Sequence, residues 1–253
     1  MAVIYFLVAL VATLLGSLAG LGGGVIIKPI LDLLGDFDLA TISILSSVTV
    51  LSMAVVSMFK LKTAGYRFNR QLTVLIASGS IIGGVMGQLS FRYLIHLFPN
   101  LGEMQSLMLV VVMGIIFFMY NFSPSINRQG PISKLLIFTI GLLLGALSAF
   151  LGIGGGPLNV VILHLLFFMS PREASAHSVL IILFAQMASV ISLLASGQFI
   201  IETYDILIIM VFGGILGGWI GAKLSPLVSN QRIRYMFNVT IILIALININ
   251  NIL

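Results

Sequence analysis

Cysteine is absent from this 253-residue chain. That excludes a disulfide framework, a thiolate metal site and a thiol nucleophile. Charge is nearly as scarce, at 8% of residues, where a soluble domain carries about 25%. A chain so poor in charge cannot clothe a water-facing surface, which excludes the soluble globular classes. Acids number only seven, few for an ATPase. No Walker A sequence, zinc-ligand spacing or rhomboid-like nucleophile motif occurs, so no cofactor, metal site or enzymatic activity is expected. Strict apolar/polar alternation, the mark of a membrane β-barrel, is missing too.

What remains is 60% hydrophobic, with mean hydropathy +1.22. Long apolar runs predict an all-α, polytopic membrane protein embedded in a lipid bilayer. A helix needs about 20 apolar residues to cross about 30 Å of hydrocarbon. The charge-free stretches are 1–27, 39–59, 71–91, 104–127, 135–171, 174–201, 206–222 and 235–253. Met1 to Ile27 lacks a basic start and a small-residue cleavage site, so it reads as a structural helix and not a signal peptide. The net charge of +5 comes from basic residues in short loops. Those are topology signals, and nucleic acid is not expected as a partner.

The chain repeats itself. Gly20-Leu21-Gly22-Gly23-Gly24 returns as Gly152-Ile153-Gly154-Gly155-Gly156, 132 residues later. At the same offset Ser46 falls on Ser178 and Gly65 on Gly197. A constant spacing over this length implies two copies of one unit. The expected organisation is a first transmembrane repeat over 1–122, a cytoplasmic linker over 123–133 and a second repeat over 134–253. Pro124, Asn127, Gly130 and Pro131 mark the linker as a loop. Each glycine run splits an apolar stretch into two arms, giving five helical segments per repeat. These pairs either cross fully, for ten spans, or re-enter, for six spans and two hairpins.

Lysine and arginine counts set orientation. With the Lys60–Arg70 loop in the cytoplasm, ten basic residues (Lys60, Lys62, Arg67, Arg70, Arg128, Lys134, Arg172, Lys223, Arg232, Arg234) fall inside. Arg92 falls outside, and both termini are expected outside. An odd number of segments then turns the second copy upside-down, an inverted-topology repeat.

Bare backbone in a membrane is tolerated where it is buried in protein or lines a cavity. Gly22, Gly23, Gly24, Gly154, Gly155 and Gly156 are therefore candidate substrate-binding residues. The arm after each run starts a helix whose amides and dipole favour an anion. The alternative is a tight turn or close packing. Lys28, four residues past Gly24, either attracts the anion or pairs with Asp32 on one helix face. Ser46 and Ser178, in the first turns of matched spans, offer hydroxyls, as do Ser43, Ser47 and Thr49. Asp32 and His164 are equivalent positions and candidates for proton coupling, or else meet headgroups and water. His177 reads as a capping or interfacial residue, His96 as a loop residue, and Gln186 as a binding group or interhelical glue. Gly79, Gly83, Gly87 and Gly213, Gly217, Gly221 form small-residue ridges for helix packing.

The stretches Leu18-Ala19-Gly20-Leu21-Gly22-Gly23-Gly24 and Ala149-Phe150-Leu151-Gly152-Ile153-Gly154-Gly155-Gly156 resemble the sulfite exporter TauE/SafE family, also called toluene sulfonate uptake permeases. Glu173-Ala174-Ser175-Ala176-His177-Ser178 is similar as well. The resemblance covers essentially the whole chain. It implies transport of small sulfur-containing anions such as sulfite, sulfonates, sulfoacetate or thiosulfate across a prokaryotic plasma membrane, with proton coupling. The family's proline after the glycines is matched by Pro29, whereas the second copy has Val161 there and Pro157 earlier. The expected function is a secondary transporter of a small oxyanion by alternating access. An anion channel on the same scaffold and an intramembrane enzyme are the rival classes, and a homodimer is compatible with the sequence.

Overall fold

The computed structural model describes residues 2–66, 68–98, 101–122, 133–151, 155–197 and 203–251. The linker apart from Ser133, together with Arg67, Gly152, Gly154 and Glu202, lies outside the described residues. The first half forms α1 (Ala2–Ala19), α2 (Gly24–Leu34), α3 (Leu39–Thr63), α4 (Arg70–Leu97) and α5 (Leu101–Phe122). The second forms α6 (Lys134–Leu151), α7 (Gly156–Phe167), α8 (Pro171–Ala195), α9 (Tyr204–Leu224), a 3-10 turn (Ser225–Leu227) and α10 (Asn230–Asn250). No strand occurs among the described residues.

Local chemistry sets these boundaries. Asp38 caps α3 by accepting from the Ala40 amide. Ser170 and Glu173 form a reciprocal capping box on α8, with Pro171 in its first turn. Ser229 caps α10, and Gly35, at φ 69°, ends α2 in the left-handed conformation.

Eight helices are long and apolar enough to cross a membrane. The other two, α2 with 11 residues and α7 with 12, each span about 16–18 Å at 1.5 Å per residue, roughly half a bilayer. This differs from both span counts read from the sequence. Each glycine-broken pair joins one helix of crossing length to one of half length. The α1–α2 pair doubles back: the Tyr5 hydroxyl donates to Asp36, just past α2, and the Tyr5 ring packs on Phe37.

The most extensive packing joins the halves to each other, α4 to α6 and α1 to α9. Both contacts run along the glycine ridges. Gly79, Gly83 and Gly87 lie against the backbone at Phe138, Leu142 and Ala146, and Gly213, Gly217 and Gly221 against that at Phe6, Leu10 and Leu14. The matching order makes each pair parallel. Gly214 and Gly218 meet Thr49 and Met53 in the same sense, so α3 runs with α1 and α9. The start of α3 shares a cavity with the end of α4, so α4 and α6 run the other way. The Ser17 and Ser57 hydroxyls lie 2.8 Å apart and each lies 3.2 Å from the Gly218 carbonyl, so one hydroxyl donates to the other and this hydrogen-bonded cluster ties α1, α3 and α9 together.

Helix α4 extends further than the charge pattern implies. Arg92 and residue 96, read from the sequence as loop residues, are helical; a long arginine stem lets a charge sit inside a helix end and still reach polar surroundings. Ser46 and Ser178 lie two turns into α3 and α8, not in their first turns, because Asp38 and Ser170 start those helices earlier.

A methyl group on a ridge glycine has nowhere to go. Gly83→Ala and Gly217→Ala should each lose about 1–3 kcal/mol of stability by overpacking, read as a lower thermal midpoint in detergent. Gly114→Ala, which faces open space, should leave the midpoint unchanged or higher.

Candidate functional site

The two glycine elbows meet. A Cβ on Gly156 would collide with the Leu21 carbonyl, so the start of α7 rests directly on the first elbow's backbone. The Ser178 hydroxyl bonds the Gly20 carbonyl at 2.5 Å and lies 3.4 Å from that of Gly156. It thus links both elbows from α8, while Ser175 donates to Leu18 at 3.1 Å. Positive φ at Gly20, Gly22, Gly23 and Gly155 is the conformation that only glycine adopts at little cost.

Several amides are already used. Gly22 N–H donates to Gly16, Gly24 N–H to Gly22, and the Ile26 and Ile27 amides both reach the Gly23 carbonyl at 2.9 Å. In α7 the Asn159 amide donates to Gly155 at 3.0 Å. At the first elbow the amides expected to face an anion are therefore largely folded into the elbow itself, whereas the α7 bond is the ordinary first bond of that helix. Gly23 abuts Thr13, and Gly155 abuts Ser148. Gly154 lies outside the described residues.

Polar groups without partners gather on the second elbow. Asn159, in the first turn of α7, is fully buried, and among the described residues neither its side-chain oxygen nor its nitrogen has a partner. Ser148 Oγ, beside Gly155, is also unpaired. An orphaned buried amide requires a reason, of which an absent polar ligand is one. The sequence reading missed Asn159. Its signal was there: it is the one amide in an apolar helix, three residues past the glycine run.

Lys28 is buried, and its partners are not those expected. The ammonium donates to Gln105 Oε1 at 2.5 Å and to the Leu151 carbonyl at 2.9 Å, and lies 5.4 Å from the centre of the Phe91 ring. Gln105 donates in turn to Phe150 at 2.8 Å. Lysine thus caps the carbonyl end of α6, favoured by the helix dipole, immediately before the second glycine run. Asp32 does not accept from it; its carboxylate accepts from Asn251 at 3.3 Å. Ser46 is fully buried, and Ser43 and Ser47 nearly so.

His164 Nδ1 sits 2.7 Å from the Met169 carbonyl, its ring edge-on to Tyr120. Asp32 lies one turn from Lys28, whose partner Gln105 is near the start of α5; Tyr120 is near its end. Fifteen residues of helix separate these points, roughly 22 Å, so Asp32 and His164 cannot exchange a proton directly. His177 lies in the second turn of α8 rather than at its cap. Its Nδ1 is 3.0 Å from the Glu173 carbonyl, its Nε2 has no partner, and the rings of Tyr66 and Phe68 close on it. Gln186 is buried with Oε1 unpaired.

Ser178→Ala should lower stability by about 1–3 kcal/mol, since it strands a buried carbonyl. Ser196→Ala, whose hydroxyl donates within its own helix to the Leu193 carbonyl, should leave the thermal midpoint unchanged.

Comparison with known proteins places this architecture. Residues 5–247 match the family described as Sulfite exporter TauE/SafE. Over 268 aligned positions the chain is 27% identical to "Probable membrane transporter protein YunE" of Bacillus subtilis (strain 168), covering 96% of this chain and 95% of that protein. Helices of crossing length, glycine elbows and this match over nearly the whole chain agree: the protein is a multi-pass member of the sulfite exporter TauE/SafE family of membrane transporters.

Proposed function

We propose that the protein is a secondary transporter of a small sulfur-containing or other oxyanion, such as sulfite, a sulfonate or thiosulfate, working by alternating access with proton coupling. The observation that carries this reading is the orphaned Asn159 amide at the point where the two elbows meet. Its Nδ2 can donate to an anion's oxygens once the elbows part. Amides of the glycine runs, the Ser46 and Ser178 hydroxyls and the positive end of α7 complete the donor set. Lys28 adds positive charge from the first half alone, since Val160 occupies the matching position.

In the closed arrangement the elbow carbonyls and amides satisfy one another, with Ser178 as the link. Admitting an anion exchanges these internal bonds for bonds to the ligand, which couples binding to movement of one half against the other. The opposed directions of α1 and α6 support an inverted-topology duplication, the architecture in which such rocking exposes one site to each face in turn. Asp32 and His164, at opposite ends of the α5–α10 pair, suit proton uptake and release at separate faces. The charge bias favours the plasma membrane of a prokaryote, the α3–α4 loop in the cytoplasm and both termini outside.

Asn159→Leu separates function from folding. Replacing an unpaired buried amide with an apolar group of similar size should hold or raise the thermal midpoint. Loss of hydrogen bonds to a charged ligand, worth about 1.5–3 kcal/mol, should weaken uptake in proteoliposomes ten- to a hundredfold. Wild-type uptake of labelled sulfite or thiosulfate should saturate and speed up with unlabelled anion inside. Flux without saturation or trans-stimulation would make the protein a channel. An absence of flux for sulfite, thiosulfate and methanesulfonate alike would sink the oxyanion reading.

A further inference from the structure

A cavity of about 310 Å³, with a largely apolar lining, opens where α3 begins and α4 and α8 end. Its size lies at the lower end of small-molecule sites, roughly 300–1,000 Å³. The rim holds Asp38 and Ala40, both exposed. The base is formed by buried Ser43, Gln88 and Phe91. Arg92 enters from the side; among the described residues its guanidinium has a 3.4 Å contact to Ser192, and its buried Nε has no partner. Gln88 is 1% exposed, and its Oε1 is likewise unpaired. Behind the wall, the Lys28 ammonium faces the Phe91 ring at 5.4 Å.

These groups have one chemistry in common. A guanidinium with a free N–H, a hydroxyl and an amide that can present its NH₂ after a half-turn all donate to oxygen. Among the described residues nothing pairs with the Arg92 Nε–H or the Gln88 oxygen, and each represents desolvation left uncompensated. A small oxyanion in the cavity would supply the missing partner for the guanidinium. The Asp38 carboxylate does not cancel that charge at the base: it stands at the exposed rim and accepts from the Ala40 amide. The feature is also one-sided. At the 134-residue offset of the two glycine ridges, Gln88 and Arg92 correspond to Ala222 and Pro226.

We infer that this cavity is an anion-binding vestibule, in which Arg92, Ser43 and Gln88 hold a small oxyanion on the face where α3 begins, with Phe91 separating it from Lys28. This rests on the transport reading for its role, as the waiting position for the transported anion, but its binding chemistry can be tested without transport.

The chain has no cysteine of its own, so a single introduced thiol reports on the cavity alone. In Ser43→Cys, the anionic reagent sulfonatoethyl methanethiosulfonate, added on the face where α3 begins, should react roughly tenfold faster than its cationic trimethylammonium analogue, given the focusing of an anion by a positive cleft. Adding Arg92→Gln should abolish that preference, and Arg92→Lys should keep most of it. Asp38→Asn, which preserves the helix cap, should increase it. Methanesulfonate should slow the labelling and chloride should not. Ala40→Cys at the rim is the second reporter, should the first variant not fold. Equal rates for the two reagents, a preference indifferent to Arg92→Gln, or an unreactive thiol at both positions would overturn the vestibule. A charge preference that persists in a protein without oxyanion flux would leave the vestibule standing and remove the transport reading instead.

Discussion

Hydrocarbon offers no hydrogen-bond partners, so every break in a membrane helix must be repaired from within the protein. That constraint organises this molecule. Each half contains one break, at a glycine run; the first is satisfied by its own backbone bonds and by Ser178, and the start of α7 packs directly against it. The start of α7 seats on the Leu21 carbonyl, and Ser178 reaches from α8 to carbonyls of both elbows. Much else follows from holding that contact. The glycine ridges of α4 and α9 bring each half against the other rather than against itself. Lys28 neutralises the carbonyl end of α6, where the second break begins.

In the proposed transport reading, such a break doubles as a binding site: groups that satisfy each other in one arrangement would satisfy a ligand in another, and the buried Asn159 amide, unpaired among the described residues, is the group offered to it. The two half-length helices begin at these breaks, and their N-terminal ends lie inside the protein, where a dipole is poorly screened.

The two halves are alike in fold and unlike in charge. Five helices of similar order recur, yet Lys28, Gln88 and Arg92 belong to the first half alone. Packing needs the duplicated features: glycines, small residues and apolar faces. Recognition of an anion needs only one set of cations, and a second buried set would carry its own desolvation cost. The vestibule accordingly has no counterpart at the matching position of the second half.

Helix number and the positions of the breaks were legible in the chain because they depend on local properties: apolar length, glycine and proline placement, and capping residues such as Asp38 and Ser170. The ridges, too, declared their role through spacing. Extents were less legible where a long side chain hides a charge, as Arg92 does within α4. Partners were not legible at all. Lys28 was weighed against Asp32, four residues away, but bonds Gln105 and Leu151, 77 and 123 residues away; Asp32 and His164 match in the repeat and yet stand at opposite ends of a helix pair. The sequence by itself determined an all-helical membrane protein of two five-helix halves, since these follow from periodicity and solvent transfer. Only the tertiary structure decided that the elbows touch, that the first elbow's amides are largely spent, and that Asn159, Gln88 and Arg92 carry groups unpaired among the described residues, because hydrogen-bond satisfaction belongs to three-dimensional neighbours and has no period along the chain.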